Sequence, residues 1–240
     1  MSAKKKLRDY LSRSVRKIKH RKGFGVHSPF AYSIITEVIE EKLPYYAYRR
    51  MNRTYDSKAP IAMKVACLLL RLANRFRVRQ VAELCCDGGY SLLPLILTDS
   101  RLHVQAYITQ DDIAQQVQTR LAWLPSRLPQ VSFAKDFDAL DAVSPYDMII
   151  VGGNPFDAHL DRPTEEQQAE SAARLVDWIM AHAKDDTLIF VRGIQARHRQ
   201  ESFWDLLCDR DDVSITMDLY DYGLAILKPR FFKQHYIVAF

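Results

Sequence analysis

Four cysteines in 240 residues, Cys67, Cys85, Cys86 and Cys208, are too few and too scattered for a disulfide framework. No apolar run approaches the roughly 20 residues that a membrane-spanning helix needs. The charged beginning of the chain lacks the apolar centre of a secretory signal. Also missing are a Gly-x-x-x-x-Gly-Lys-Ser/Thr phosphate loop, a Gly-x-Ser-x-Gly nucleophile elbow and any Cys-x-x-Cys pair. The vicinal Cys85-Cys86 alone does not make a redox or soft-metal signature. These absences predict a reduced, cytoplasmic protein. There is no internal repeat and no low-complexity linker. A composition 48% hydrophobic and 26% charged suits one large α/β domain with an appendage.

Charge is unevenly spread. Between Met1 and Lys22 stand ten Lys or Arg against a single acid, Asp9, whereas the rest of the chain carries a slight excess of acid. Leu7, Leu11, Val15 and Ile18 recur at helical spacing along this basic segment. The pattern predicts a helix over Lys4 to Lys22, packed by that stripe with its charged face free. Such a helix can lie on nucleic acid, on an anionic membrane surface or on the protein's own acidic body. One apolar residue per turn is a docking face more often than an anchor, so docking on the body is the favoured reading and nucleic acid is not.

The segment Gly23 to Phe30 ends that helix and starts another. Ser28 before Pro29 reads as an N-cap followed by proline at the first helical position. Phe30, Ile34, Ile35, Val38 and Ile39 continue an amphipathic pattern to about Glu41. His27 has a ring suited to proton transfer near neutrality, but with no partner visible it reads as a loop-pinning residue. Tyr45, Tyr46, Tyr48, Arg49 and Arg50 form an aromatic-basic cluster that can stack on bases; capping one edge of the main domain is the favoured role. This organisation divides the chain into a basic, helical N-terminal extension, 1–58, and a Rossmann-like domain, 59–240.

From Pro60 onward helices and strands alternate. Helix from about Pro60 to Phe76 precedes a strand over Gln80 to Leu84, which ends on the acid Glu83 and passes through a small-residue turn into a helix over Tyr90 to Leu97. Strand, glycine turn and helix N-terminus is how a nucleotide-type site begins in a doubly wound domain. Further strands are predicted at His103 to Ile108, Val131 to Ala134, Asp147 to Val151 and Thr187 to Val191. Helices are predicted at Ile113 to Leu124, Glu165 to His182 and Gln200 to Cys208, with a turn at Lys184-Asp185-Asp186. The tail holds three strand-like runs, Val213 to Leu219, Gly223 to Leu227 and His235 to Val238, with no helix between them. Alternation predicts a parallel sheet with Gln80 to Leu84 in its centre; the hairpin through Tyr220-Asp221-Tyr222 predicts an antiparallel edge.

This layout, with Val81-Ala82-Glu83-Leu84-Cys85-Cys86-Asp87-Gly88-Gly89-Tyr90-Ser91 and Tyr146-Asp147-Met148-Ile149-Ile150-Val151-Gly152-Gly153-Asn154, resembles the class I S-adenosylmethionine-dependent methyltransferases and their catechol O-methyltransferase-like members. Gly25-Val26-His27-Ser28-Pro29-Phe30 and Lys233-Gln234-His235-Tyr236-Ile237-Val238 resemble a chiefly Bacteroidetes group of methyltransferase-like proteins. The resemblance implies an α/β Rossmann-like fold with a seven-stranded, mostly parallel sheet. It also implies S-adenosylmethionine as cofactor, contacted by Glu83, Cys85, Asp87, Gly88, Gly89 and Ser91.

Several positions depart from that pattern. Cys85 replaces the glycine over which the methionine end of the cofactor lies in the family. The acid that holds the ribose hydroxyls falls near Ile108, followed by Thr109 and Gln110; Asp111 and Asp112 come late and read as helix-capping. The family's metal-binding aspartate falls at Gly152, and its acidic pair after strand five at Val191 and Arg192. A hard divalent cation needs several oxygen ligands, so no metal is expected. Asp157, His159 and Asp161 alternate in a proline-flanked loop and read as solvent-exposed rather than ligating. Arg192, Arg197, His198 and Arg199 can hold an anionic substrate or form a solvated turn. Two functions follow: a metal-independent methyltransferase of unknown acceptor, or a pseudoenzyme serving as a binding or scaffolding module, with the cofactor weakly held or lost.

Overall fold

The computed structural model describes residues 14–16, 20, 23, 25–55, 59–108, 110–143, 145–157, 163–195 and 201–240. Its strands are β1 (Gln80–Leu84), β2 (His103–Tyr107), β3 (Val131–Ala134), β4 (Tyr146–Val151), β5 (Ala183–Arg192), β6 (Ile215–Asp218), β7 (Tyr222–Ile226) and β8 (Gln234–Ile237). They form one eight-stranded sheet in the order β3-β2-β1-β4-β5-β7-β6-β8. β3, β2, β1, β4 and β5 run parallel. β7 is antiparallel to both β5 and β6, and β8 is parallel to β6. The expected count of seven is therefore one short. The last strand-like run pairs outside β6 and becomes an additional edge.

Seven helices are described: α1 (Pro29–Ile34), α2 (Tyr48–Met51), α3 (Met63–Arg75), α4 (Leu92–Ile96), α5 (Asp111–Leu121), α6 (Glu165–His182) and α7 (Glu201–Asp209). Among the described residues no helix is long and apolar enough to cross a membrane. The central strands are buried on both faces, as a parallel sheet between helical layers requires. Val81, Met148, Ile150 and Phe190 join a core with Leu68 and Leu72 of α3 and Leu93 of α4. Their neighbours Ala82, Ile149, Val151 and Val191 face a second core with Leu175 and Ile179 of α6 and Phe203 and Leu207 of α7. Each fully buried aliphatic side chain contributes about 1.5–3 kcal/mol to this packing.

Local signals act as read. Ser28 Oγ accepts from Ala31 N–H at 3.3 Å and Pro29 occupies the first turn of α1. That helix passes into a π-helical turn at Ile35–Ile39, which leaves carbonyls without helical partners. Buried Arg71 supplies them: its Nε donates to Val38 O at 2.6 Å, Nη2 to Ile39 O at 3.2 Å, and Nη1 to Tyr48 Oη at 2.8 Å. Tyr46 Oη donates to Leu97 O at 2.9 Å, so the tyrosines of the aromatic-basic cluster do bind the segment to the main body. A capping box of Thr164 and Gln167 opens α6.

One expectation is corrected. Lys184-Asp185-Asp186 is not a turn between elements but the bulged start of β5, with Asp186 at φ 72° and a register shift opposite Tyr146 and Met148. Asp147 holds this junction, accepting from Arg79 and Gln80 N–H and pairing with Lys184 at 2.6 Å. Of the stripe expected to dock the basic arm, Val15 alone is described. Val15 is 49% exposed, whereas Arg16 makes a two-pronged ion pair to Asp218 at 2.7 and 2.8 Å and lies over Tyr220. Leu7, Leu11 and Ile18 lie outside the described residues. Further along, Ala239 N–H donates to His20 O at 3.2 Å, so His20 meets the tail.

Candidate functional site at the carboxyl ends of β1 and β4

The strand order reverses between β1 and β4, and ligands of open α/β sheets bind outside the carboxyl ends of the strands at that point. The alternation that puts Val81 under α3 and α4 puts Glu83 on the same face, at the start of α4. Glu83 is fully buried and its Oε1 meets Ser91 Oγ. Ser91 also donates its N–H to Asp87 Oδ1 at 3.0 Å, with its Oγ 3.0 Å from the same oxygen. Asp87 Oδ2 accepts from Arg192 Nη1 at 2.9 Å, the side chains being 3% and 18% exposed. One network thus joins the end of β1, the loop, the start of α4 and the end of β5.

Burial, then the neighbouring Asp87, pushes the Glu83 carboxyl up to about 8 against the pull of Ser91 and Arg192. Burial, with Glu83 and Asp87 nearby, also pushes the Cys86 thiol well above its usual range. Glu83 is therefore a neutral acid and Cys86 a thiol near neutrality. Glu83, Cys86 and Asp87 bring one ligand atom each within 4.8 Å of one another. Of that set, Asp87 is already paired with the Arg192 guanidinium.

The loop backbone follows from its small residues. Cys85, Gly88 and Gly89 have φ of 59°, 74° and 94°. A Cβ on Gly89 would lie 3.4 Å from the backbone of Val117, so α5 comes close there. Cys85 takes the left-handed conformation with a side chain in place, which costs about 1–2 kcal/mol. It faces the end of β4: a Cβ on Gly152 would lie 2.5 Å from Cys85 O, and one on Gly153 would lie 3.4 Å from Cys85 Sγ. Cys85 thus comes close to both glycines where β1 and β4 end.

Beside it opens a cleft of about 640 Å³ over β2, β3 and β4. Tyr107 at the end of β2, Phe137 after β3 and Phe156 after β4 line it, with ring centroids 5.3 Å and 4.8 Å apart in sequence. Arg174 of α6 lies over Phe156 at 4.3 Å. Burial, then Cys85 and Asp136, pushes the Tyr107 phenol up.

Glu83, Cys85, Asp87, Gly88, Gly89 and Ser91 all stand together in this loop. Ile108 does not reach it: the side chain is 5% exposed in the core and its N–H donates to Ala134 O at 2.9 Å. Asp111 and Asp112 sit in the first turn of α5, where Asp111 pairs with Lys135 at 2.5 Å. Asn154 turns its Oδ1 back to Phe156 N–H at 3.0 Å. His27 is exposed. Asp157 closes a short 3₁₀ turn, while Thr109, His159, Asp161, Arg197, His198 and Arg199 lie outside the described residues. The Arg192 partnership with Asp87 and the aromatic cleft escape a linear reading. Only the placing of Phe137 and Phe156 shortly after strand ends hints at the second.

No protein-family model matches the chain, and no curated protein matches it significantly. Solved structures do. The O-methyltransferase TomG from Streptomyces achromogenes, in complex with SAM, is 19% identical and superposes with TM-score 0.54 over 78% of this chain and 91% of its own. The O-methyltransferase from Bacillus cereus, in complex with SAH, is 14% identical with TM-score 0.55 over 82% and 97%. SAH-bound PaMTH1 from Podospora anserina is 11% identical with TM-score 0.57 over 84% and 96%. With the sheet order and the β1–loop–α4 unit, these likenesses give the chain the Rossmann-like fold of class I S-adenosylmethionine-dependent methyltransferases.

Proposed function

We propose that the chain is a methyltransferase-like protein whose S-adenosyl crevice is closed by its own side chains, and that it works as a metal-independent, non-catalytic binding module. The observation that carries this reading is Cys85 packed against Gly152 and Gly153 at the β1–β4 switch point. Three features oppose a snug cofactor. Cys85 places a Cβ and sulfur where the backbone alone leaves room. Ile108 is a buried apolar residue where a ribose-binding acid belongs. The loop also offers little negative charge to a sulfonium or an ammonium, because Glu83 is neutral and Asp87 is paired with Arg192. No oxygen ligands stand at Gly152, Val191 or Arg192 to hold a hard cation. The four cysteines, none of them in a disulfide, suit a reducing compartment and support the cytoplasm as its place.

A second reading, an active methyltransferase of unknown acceptor, is favoured by one observation. Gly88 and Gly89 keep the positive φ of a ligand-approaching loop, and Asp87 and Ser91 hold it to α4. Methyl transfer needs chiefly proximity and in-line orientation, and S-adenosylmethionine would supply the methyl group when bound. Calorimetric titration with S-adenosylhomocysteine separates the two. Binding weaker than about 100 µM is expected, with a measurable gain in a Cys85→Gly, Ile108→Glu variant. Low-micromolar binding by the unmodified protein would overturn the module reading in favour of the enzyme.

A further inference from the structure

Behind the Gly88-Gly89 loop lies a second, larger depression, an open groove of about 1160 Å³. One wall is α2 with the turn that follows it, contributing Arg49, Arg50 and Arg53. The other is the outer face of α5 with Trp123, and Tyr90 lies between. Arg120 crosses this floor, its guanidinium 3.6 Å from the Tyr90 ring centroid and its Nη1 donating to Gly88 O at 3.1 Å.

Several arginines elsewhere in the fold are held by partners. Arg16, Arg79 and Arg192 each meet a carboxylate, and Arg71 is bound to two carbonyls and a phenol. Arg49, Arg50 and Arg53 are exposed, and among the described residues their side chains take neither an ion pair nor a hydrogen bond. Among the described residues Asp112 is the one acid on the walls. Three unneutralised guanidiniums thus converge on a single concavity, on a body that otherwise carries a slight excess of acid. Trp123 stands 46% exposed at the same groove, although an indole is costly to leave in water. Gln115, Gln116 and Thr119 add neutral donors and acceptors along the α5 face.

We infer that this groove binds a nucleotide unit, its phosphate and its base together, carried either by a free nucleotide or by single-stranded nucleic acid. Guanidiniums bind phosphate oxygens with two parallel N–H donors, and an exposed indole offers a stacking face for any base. The basic N-terminal arm cannot be the occupant, since its charge has the same sign as the groove. A lipid surface would need apolar side chains around the arginines, and Trp123 stands alone in that role. The inference does not rest on the methyltransferase reading.

The test uses the full-length protein with two probes: adenosine diphosphate, followed by tryptophan fluorescence, and a short fluorescein-labelled single-stranded RNA, followed by anisotropy. Trp123 is the most exposed of the three tryptophans, so bound ligand should shield it from iodide quenching. Arg49→Glu with Arg53→Glu should weaken binding roughly tenfold or more. For RNA it should also reduce the slope of log affinity against log salt by about 1.4, the share of two phosphates on a single strand. Trp123→Ala should cost about fivefold to a hundredfold, and Trp123→Phe should recover most of it. Binding of the nucleotide identifies the free ligand as the source; binding of RNA alone identifies the strand. If neither probe binds at physiological salt, the inference is wrong. It is equally wrong if RNA binds but the groove variants and Trp123 shielding are unchanged, which assigns binding to the basic arm.

Discussion

Arg192 at the end of β5 donates to Asp87 in the loop after β1, 2.9 Å away, across the strand β4 that separates them in the sheet. The carboxylate is almost wholly buried. Removing the guanidinium leaves Asp87 with only the Ser91 donors. Arg192→Ala should therefore destabilise the fold by about 3 kcal/mol, read from urea unfolding, and Arg192→Lys should cost less. Unchanged stability in Arg192→Ala would show that the pair is not made in solution.

Glu83 sets a pH dependence of unusual sign for a carboxyl. Its folded value lies near 8 against an ordinary 4.5, so the native state holds the proton more tightly than the unfolded chain. The stability it contributes is present below about 4.5 and is lost as pH rises through about 8. Asp147 acts oppositely: burial raises it, but Lys184 and the Gln80 and Arg79 N–H groups outweigh that and lower it, so its contribution is lost in acid. Glu83→Gln should match the parent near about pH 5 and exceed it in melting temperature near about pH 9. A variant no more stable at the alkaline end would contradict the neutral Glu83.

Cys85 stores strain that glycine would release. Cys85→Gly should raise stability by about 1 kcal/mol, less whatever its contact with Gly153 contributes. A clear loss of stability would mean that sulfur packing outweighs the left-handed backbone.

The β7 glycine has the opposite logic. A Cβ on Gly223 would lie 2.4 Å from the ring of Trp204, a nearly buried residue of α7. Gly223→Ala should cost about 1–3 kcal/mol through overpacking, measured by chemical unfolding. Little change would show that the indole moves aside cheaply.

Much of this architecture was legible along the chain because its signals are local. Ser28-Pro29 announces α1, periodic leucines announce α3, and the β1 turn carries its small residues in one stretch. Glycine-like demand at position 85 was also readable, and the backbone there is left-handed although the residue is Cys85. What failed to show were relations between distant segments. The Arg192–Asp87 pair spans 105 positions and depends on β5 lying one strand beyond β4. The bulge at Asp186 answers a register mismatch with Tyr146 that no window contains. The β8 run read as a strand, but its place outside β6 raised the count to eight. In the arm, periodicity drew attention to Val15, whereas the neighbouring Arg16 found Asp218 on a strand 202 positions later.

That meeting of the arm with the tail has a bearing on solubility. An outer strand such as β8 presents unpaired amides and carbonyls to any passing chain, a template for edge-to-edge association. Here Ala239 bonds to His20 just past β8, and Arg16 grips Asp218 on the adjacent β6. These two described points of the basic arm therefore stand as a charged guard beside the last strand. Cutting the contact, by Arg16→Ala or by trimming the final residues, should leave the enclosed cores intact yet make concentrated protein self-associate.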